Sequence, residues 1–270
     1  MPTYSFTLEY DGTDFAGWQI QPSVRTAMGV FNDALRAVTS ETPALTAAGR
    51  TDAGAHAHGQ VVGCTLDRGW PPEELRGALN ATLPADLAVR DVAIRTDGFD
   101  ARRDAVDRTY RYLIVCRDGR SPVLRRTAWT VRGPLDLDAM RAAAAHLVGR
   151  HDFAAFGSSP RPGGSTVRRV TTVGVERGAF GSDDAAHQGH PVLETIVITV
   201  HADAFLRGMM RSFTGALVKV GQGRAAPEWL ASLVDTATTR DPSVSVAPAR
   251  GLHQWSVRYE SPSNNQELAA

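Results

Sequence analysis

Residues 3–10 read Thr-Tyr-Ser-Phe-Thr-Leu-Glu-Tyr, and every second side chain is apolar or aromatic: Tyr4, Phe6, Leu8 and Tyr10. A period of two puts those four side chains on one face of an extended backbone, which is the pattern of a strand with one buried side. Asp11-Gly12-Thr13 then turns the chain. Thr26 is a candidate N-cap for a helix whose apolar positions Met28, Phe31, Leu35 and Val38 follow helical spacing. A glycine-bearing loop over 49–59 leads, from near Gln60, into a second alternating strand on Val62, Cys64 and Leu66. A helix after Pro71-Pro72 and a strand from Leu87 to Ile94 complete the order strand, helix, strand, helix, strand.

The rest of the chain has a similar make-up. Strands are expected at 108–116, 167–177, 192–201 and 255–259, and helices at 136–148, 205–220 and 227–235. This is an α+β chain of two ferredoxin-like or RRM-like halves, with mixed, mainly antiparallel sheets flanked by helices around a basic cleft. The expected division is 1–104 for the half carrying the 49–59 loop, 105–260 for the second half and 261–270 for a frayed tail. Two stretches dense in small and polar residues, 157–165 and 178–189, are expected to be mobile loops.

Composition narrows the function classes. The longest apolar runs, such as Ile196 to Val200, are too short to span a bilayer, and the N-terminus enters a strand pattern directly, so a cytoplasmic protein is expected. Cys64 and Cys116 sit far apart in separate apolar runs, which suggests reduced thiols and neither a disulfide framework nor a zinc pair. The 29 basic and 29 acidic residues cancel, which taken alone counts against a nucleic-acid partner. Distribution says more than the total. Of the basic residues only Lys219 is a lysine, and the segment from Arg102 to Arg126 carries eight arginines against three aspartates. Guanidinium groups fork onto phosphate and stack on bases, so a neutral chain with one strongly basic segment fits an anion-binding cleft.

Gly49-Arg50-Thr51-Asp52-Ala53-Gly54, just before the second strand, places one carboxylate among small residues. Asp-Ala-Gly by itself is an ordinary turn, in which Asp bonds its own backbone and Gly supplies positive φ. The longer string resembles the loop of the tRNA pseudouridine synthase A family, whose Asp is catalytic. Further matches follow in order along nearly all of the chain: Tyr10-Asp11-Gly12-Thr13, Gly17-Trp18-Gln19, Gly59-Gln60-Val61, Leu83-Pro84, Phe99-Asp100-Ala101-Arg102, Arg108-Thr109-Tyr110-Arg111-Tyr112, His151-Asp152-Phe153, Phe205-Leu206-Arg207-Gly208-Met209-Met210-Arg211 and Ala247-Pro248-Ala249-Arg250-Gly251-Leu252.

The resemblance implies isomerisation of uridine within tRNA, in the anticodon stem-loop at positions 38 to 40, with no cofactor and no metal, by a homodimer. It makes Asp52 the catalytic carboxylate, as nucleophile at C1′ or base at C2′, and Arg211 its cationic partner. Tyr110 is expected against the target uracil, and Arg50 on backbone phosphate or in the gap left by a flipped nucleotide, since chemistry on a stacked base requires extruding it. Arg102 and Arg108, with Arg103 and Arg111, are candidates for the RNA track. Two departures stand out: Met28 replaces a usual Gln, and Gln254 stands where the family has a Leu near the uracil, so that Gln254 either bonds the base edge or marks a register offset. A rival reading groups Asp52, His56 and His58 with His146 or His151 as zinc ligands, although no His-x3-His or Cys pair supports it. A second rival is a non-catalytic RNA-binding module built on the basic segment.

Overall fold

The computed structural model describes residues 1–178 and 195–260. Residues 179–189 of the second expected loop, 192–194 of an expected strand and the tail 261–270 lie outside the described residues.

The first half forms as its periodicity predicts. Strand β1 (Thr3–Tyr10) buries Tyr4, Phe6, Leu8 and Tyr10. Helix α1 (Ala27–Thr39) is capped by Thr26, whose hydroxyl accepts the Gly29 N–H at 3.2 Å, and it lays Phe31 and Leu35 onto β1. The short β2 (Thr46–Ala47) precedes β3 (His56–Thr65), and α2 (Pro72–Thr82) and β4 (Leu87–Arg95) follow. β3 begins four residues ahead of its expected start, because His56 and His58 alternate in the strand as buried and half-buried polar groups that a hydropathy pattern passes over.

In the second half β5 (Ala105–Cys116) is followed by β6 (Trp129–Val131), α3 (Leu137–Ala145), β7 (Gly149–Asp152), β8 (Val167–Gly178), β9 (Thr195–Ala202), α4 (Met209–Gly221), α5 (Glu228–Leu233) and β10 (Leu252–Tyr259). The strands make one sheet in the order β4-β1-β3-β10-β5-β9-β8-β7, with β2 on β3 and β6 on β5. All pairings are antiparallel except β10 with β3 and β5 with β6. The mixed, mainly antiparallel α+β architecture is thus the expected one, with the strands of both halves joined edge to edge. One apolar cluster packs β1, β3 and β4 under α1 and α2. A larger one packs β5, β8 and β9 under α3 and α4, with Phe153, Phe156 and Phe213 in mutual edge contacts.

Two boundaries moved for physical reasons that bear on the site. α4 starts at Met209 and not at 205, because Gly208 takes a left-handed φ of 75° that ends helical continuity, while Ser158 and Arg207 pair as an isolated bridge. β10 starts at Leu252, three residues early, since His253 and Gln254 are polar yet buried between β3 and β5. Among the described residues no helix is long and apolar enough to cross a membrane.

Candidate active site

The Asp52 loop is held from beneath by polar groups of the first half. Thr51 O accepts the Trp18 N–H at 3.1 Å, Phe15 O accepts the Gly54 N–H at 3.3 Å, and the Tyr10 hydroxyl lies 2.8 Å from Thr51 Oγ1. Gln60 Nε2 donates to Gly49 O at 2.9 Å. Asp52 O accepts the Ala55 N–H at 3.1 Å and Gly54 has φ 78°, so the segment is indeed a turn. Gly12 lies directly against it: a Cβ there would sit 1.8 Å from Ala55 O. These fixed points set the direction in which the Asp52 side chain projects.

Its partner comes from the second half. Arg211, in the first turn of α4, donates from Nη1 to Asp52 Oδ2 at 2.7 Å and from Nε to Ala247 O at 2.7 Å. Ala247 N–H returns a bond to Arg211 O at 3.0 Å. The segment carrying Ala247 lies against the backbone of α4, where a Cβ at Gly215 would be 1.9 Å from Ser245 O. One planar guanidinium therefore joins the carboxylate of one half to the backbone of the other. With side chains 28% and 23% exposed, Asp52 and Arg211 are partly desolvated but reachable.

The pair lines a cleft of about 490 Å³ together with Ala53, Ser158, Arg207, Gly208, Arg240 and Val246. Asp52 is the sole carboxylate in that wall, facing three guanidiniums. Arg240 is anchored to Ser212 Oγ, and both Arg207 and Arg240 are exposed. Once Arg211 is matched by Asp52, two positive charges remain to meet an anionic ligand. Neither Arg207 nor Arg240 was assigned from sequence. Arg207 lies in a motif that gives it no role, and Arg240 comes from a segment, 236–241, with no pattern of its own.

Tyr110 of β5 is 6% exposed, with Phe205 edge-on at 4.6 Å between centroids. Burial pushes its hydroxyl well above the usual tyrosine range, an effect that Arg108 opposes and the Asp52 carboxylate reinforces. It is therefore a neutral hydroxyl within electrostatic reach of Asp52. Arg50 is exposed and has no hydrogen-bond or ion-pair partner among the described residues.

Other expected positions are placed elsewhere. Arg108 is buried at 7% exposure and spends its guanidinium on backbone carbonyls: Ala48 at 3.1 Å, Ala105 at 3.0 Å, Arg102 at 2.6 Å and Asp203. Desolvation lowers its pKa. It ties β5 to the strand end at Ala48 and does not face an RNA track. Arg102 is exposed on the turn whose carbonyl Arg108 holds, away from the residues lining the Asp52 cleft. Gln254 has no exposed surface. Its Nε2 donates to Gln60 Oε1 at 3.0 Å, its Oε1 is unpaired, and it lies behind Gly49 with no access to a base. The histidines of the zinc reading also point elsewhere. His56 Nε2 meets Arg126 O at 2.8 Å, His58 Nε2 meets His253 Nδ1 at 3.2 Å, and His151 Nδ1 meets Asp235 at 2.6 Å. No group of three metal-ligating side chains is found among the described residues.

A sequence model described as tRNA pseudouridine synthase matches residues 7–102 and 143–260. A tRNA pseudouridine synthase A from Geobacter sulfurreducens is 40% identical over 259 residues, covering 96% of this chain and 100% of its own. One from Geobacter sp. (strain M21) is 39% identical, covering 96% and 99%. Another, from Pelobacter propionicus, is 40% identical, covering 96% and 100%. A cleft built around Asp52 and Arg211, in a chain aligned end to end with these relatives, leads to one assignment: the chain belongs to the tRNA pseudouridine synthase family.

Proposed function

We propose that the protein isomerises uridine to pseudouridine in tRNA, with Asp52 as the catalytic carboxylate. In balance, the N1–C1′ glycosidic bond breaks, the uracil turns over, a C5–C1′ bond forms, C5 loses its hydrogen to solvent and N1 regains a proton. No electron or group is gained, so a carboxylate, a cation and a closed pocket suffice. The observation that carries the reading is the 2.7 Å Asp52–Arg211 contact in an otherwise basic cleft. Arg211 orients the carboxylate through a charged hydrogen bond, and both nucleophilic attack at C1′ and proton abstraction at C2′ need that group aimed at the sugar. Tyr110 offers a neutral aromatic edge to the uracil. Arg50, uncommitted to any described partner, meets phosphate or fills the gap left by the flipped nucleotide.

Within this reading the target is the anticodon stem-loop, at positions 38 to 40. The protein works in the cytoplasm as a homodimer, without metal, and divides at 104/105 into two halves that each supply one member of the ion pair. The test is incubation with uridine-containing tRNA without added cofactor, followed by mapping of pseudouridine. The Asp52→Asn variant should bind tRNA and form none. Conversion at the wild-type rate by that variant would remove Asp52 from the chemistry.

A further inference from the structure

A second basic cavity, of about 510 Å³, opens beside the same loop: Gly54, the residue after Ala53, is part of its wall. Thr13, Arg120, Ser121, Arg125, Arg126, Thr130 and Arg250 complete it. Arg120, Arg125 and Arg126 fall between the two stretches matched by the family model. The catalytic pair uses none of these side chains.

Two features separate this cavity from a chance gathering of surface charge. The first is the lack of counter-ions. Among the described residues Arg120, Arg125 and Arg250 pair with no carboxylate, while Arg126 has Asp14 at 3.9 Å and the Asp11 carboxylate within electrostatic reach. A surplus of positive charge therefore surrounds a space that the Ser121 and Thr130 hydroxyls also line, while the Thr13 hydroxyl donates to Asp11 Oδ1 at 2.6 Å. The second is the way the 121–128 loop is pinned. Its last three carbonyls are each held by a side chain from the sheet region: Arg126 O by His56 Nε2 at 2.8 Å, Thr127 O by His253 Nε2 at 2.9 Å and Ala128 O by Arg250 Nε at 3.3 Å. Leu124 O in turn accepts the Thr127 and Ala128 N–H groups. Arg125 and Arg126 thus stand on a fixed loop, with Arg250 held against its end, and phosphate recognition benefits when donors are positioned before the ligand arrives.

We propose that this cavity binds the phosphodiester backbone of the RNA strand that delivers its uridine to Asp52, with Arg120, Arg125, Arg126 and Arg250 as the phosphate ligands. The proposal rests on the uridine-isomerase reading above. Asp52 and Ala53 face one cavity and Gly54 the other, so a strand passing over the loop meets cations on both sides of the reacting nucleotide. Contacts of this kind fix register without reading sequence.

The experiment compares wild type with the double variant Arg120→Gln/Arg125→Gln, both exposed positions, and with a control that removes two charges from the outer helices, Arg36→Gln/Arg76→Gln. Folding is checked by thermal unfolding, tRNA binding by fluorescence anisotropy across a salt series, and pseudouridine formation under single turnover. Each lost phosphate contact should lower the slope of log Kd against log salt by about 0.7–0.9, so the double variant should lose about 1.5. Its Kd should rise about tenfold at ~0.1 M salt, a defect that raising the tRNA concentration overcomes. An unchanged Kd and slope would overturn the proposal, as would an equal change in the control pair or a slower rate at saturating tRNA with Kd unaltered. A wild-type protein that forms no pseudouridine would instead sink the underlying reading, whereas an active wild type with a tightly binding double variant sinks only this site.

Discussion

Arg211→Lys keeps the charge of the Asp52–Arg211 pair, proposed above to be catalytic, and removes its geometry. In the structure one guanidinium makes two bonds at once, to Asp52 Oδ2 and to Ala247 O, both at 2.7 Å. An ammonium on a flexible stem can reach one of those acceptors but lacks the rigid fork that spans both. A hydrogen bond involving a charged group is worth about 1.5–3 kcal/mol. If the lost bond is the one that aims the carboxylate in the transition state, a tenfold change for each 1.36 kcal/mol gives a rate lower by about ten- to a hundredfold. The assay follows from the reaction: C5 of the target uridine must lose its hydrogen, so tRNA carrying tritium at uridine C5 releases label to water as pseudouridine forms. Under single turnover with saturating protein, release reports chemistry and not binding. Thermal unfolding should change little, because lysine keeps a cation beside the partly buried Asp52 carboxylate. A Lys variant within about twofold of wild type would refute the reasoning, since the fork would then be irrelevant to the transition state.

Arg108→Gln should lower stability by more than about 2 kcal/mol by leaving buried carbonyls unmatched, yet keep the salt dependence of tRNA binding, as shown by paired denaturation and binding titrations. A reduced salt slope in a stably folded Arg108→Gln protein would restore Arg108 to the RNA track. Gly12→Ala must displace the Asp52 loop, because its Cβ would meet Ala55 O at 1.8 Å, so tritium release should fall well beyond what a stability loss of about 1–3 kcal/mol explains. His253 gives a pH signature. Burial holds its pKa down to about 3, against 6.5 when unfolded, so it folds neutral, donating to Thr127 O and accepting from His58. Its contribution is complete above pH 6.5 and is lost at about 1.4 kcal/mol per pH unit as pH falls from there toward 3. His253→Asn should flatten the denaturation free energy between roughly pH 6.5 and 4.5, and an unchanged slope would show that another group carries it.

The apolar framework was legible because its periods are clean. Phe6 and Leu8 sit where alternation puts them, and Phe31 and Leu35 where helical spacing does. Asp52, Tyr110 and Arg211 are reached through ordered motifs; the fold pairs Asp52 with Arg211 and buries Tyr110 against Phe205. What stayed hidden depends on burying polar groups. His253 and Gln254 occupy the middle of the sheet as a hydrogen-bonded layer, which no hydropathy pattern separates from a loop. Arg108 sits in a basic segment that suggests a phosphate ligand, but charge in sequence does not tell whether a guanidinium meets water or four backbone carbonyls. Arg207 and Arg240 share a cleft only because Gly208 turns the chain ahead of α4.

β10 lies between β3 and β5, so the seam between the two halves is sealed by residues 252–259, near the end of the described chain. During synthesis β3 and β5, covered only in part by β2 and β6, are each left with open backbone until this strand emerges, and open backbone is a template for pairing with the wrong partner. Asp52 belongs to one side of that seam and Arg211 to the other. Asp52 and Arg211 are thereby brought into register late: a product truncated before Leu252 would carry both residues without the strand that joins β3 to β5.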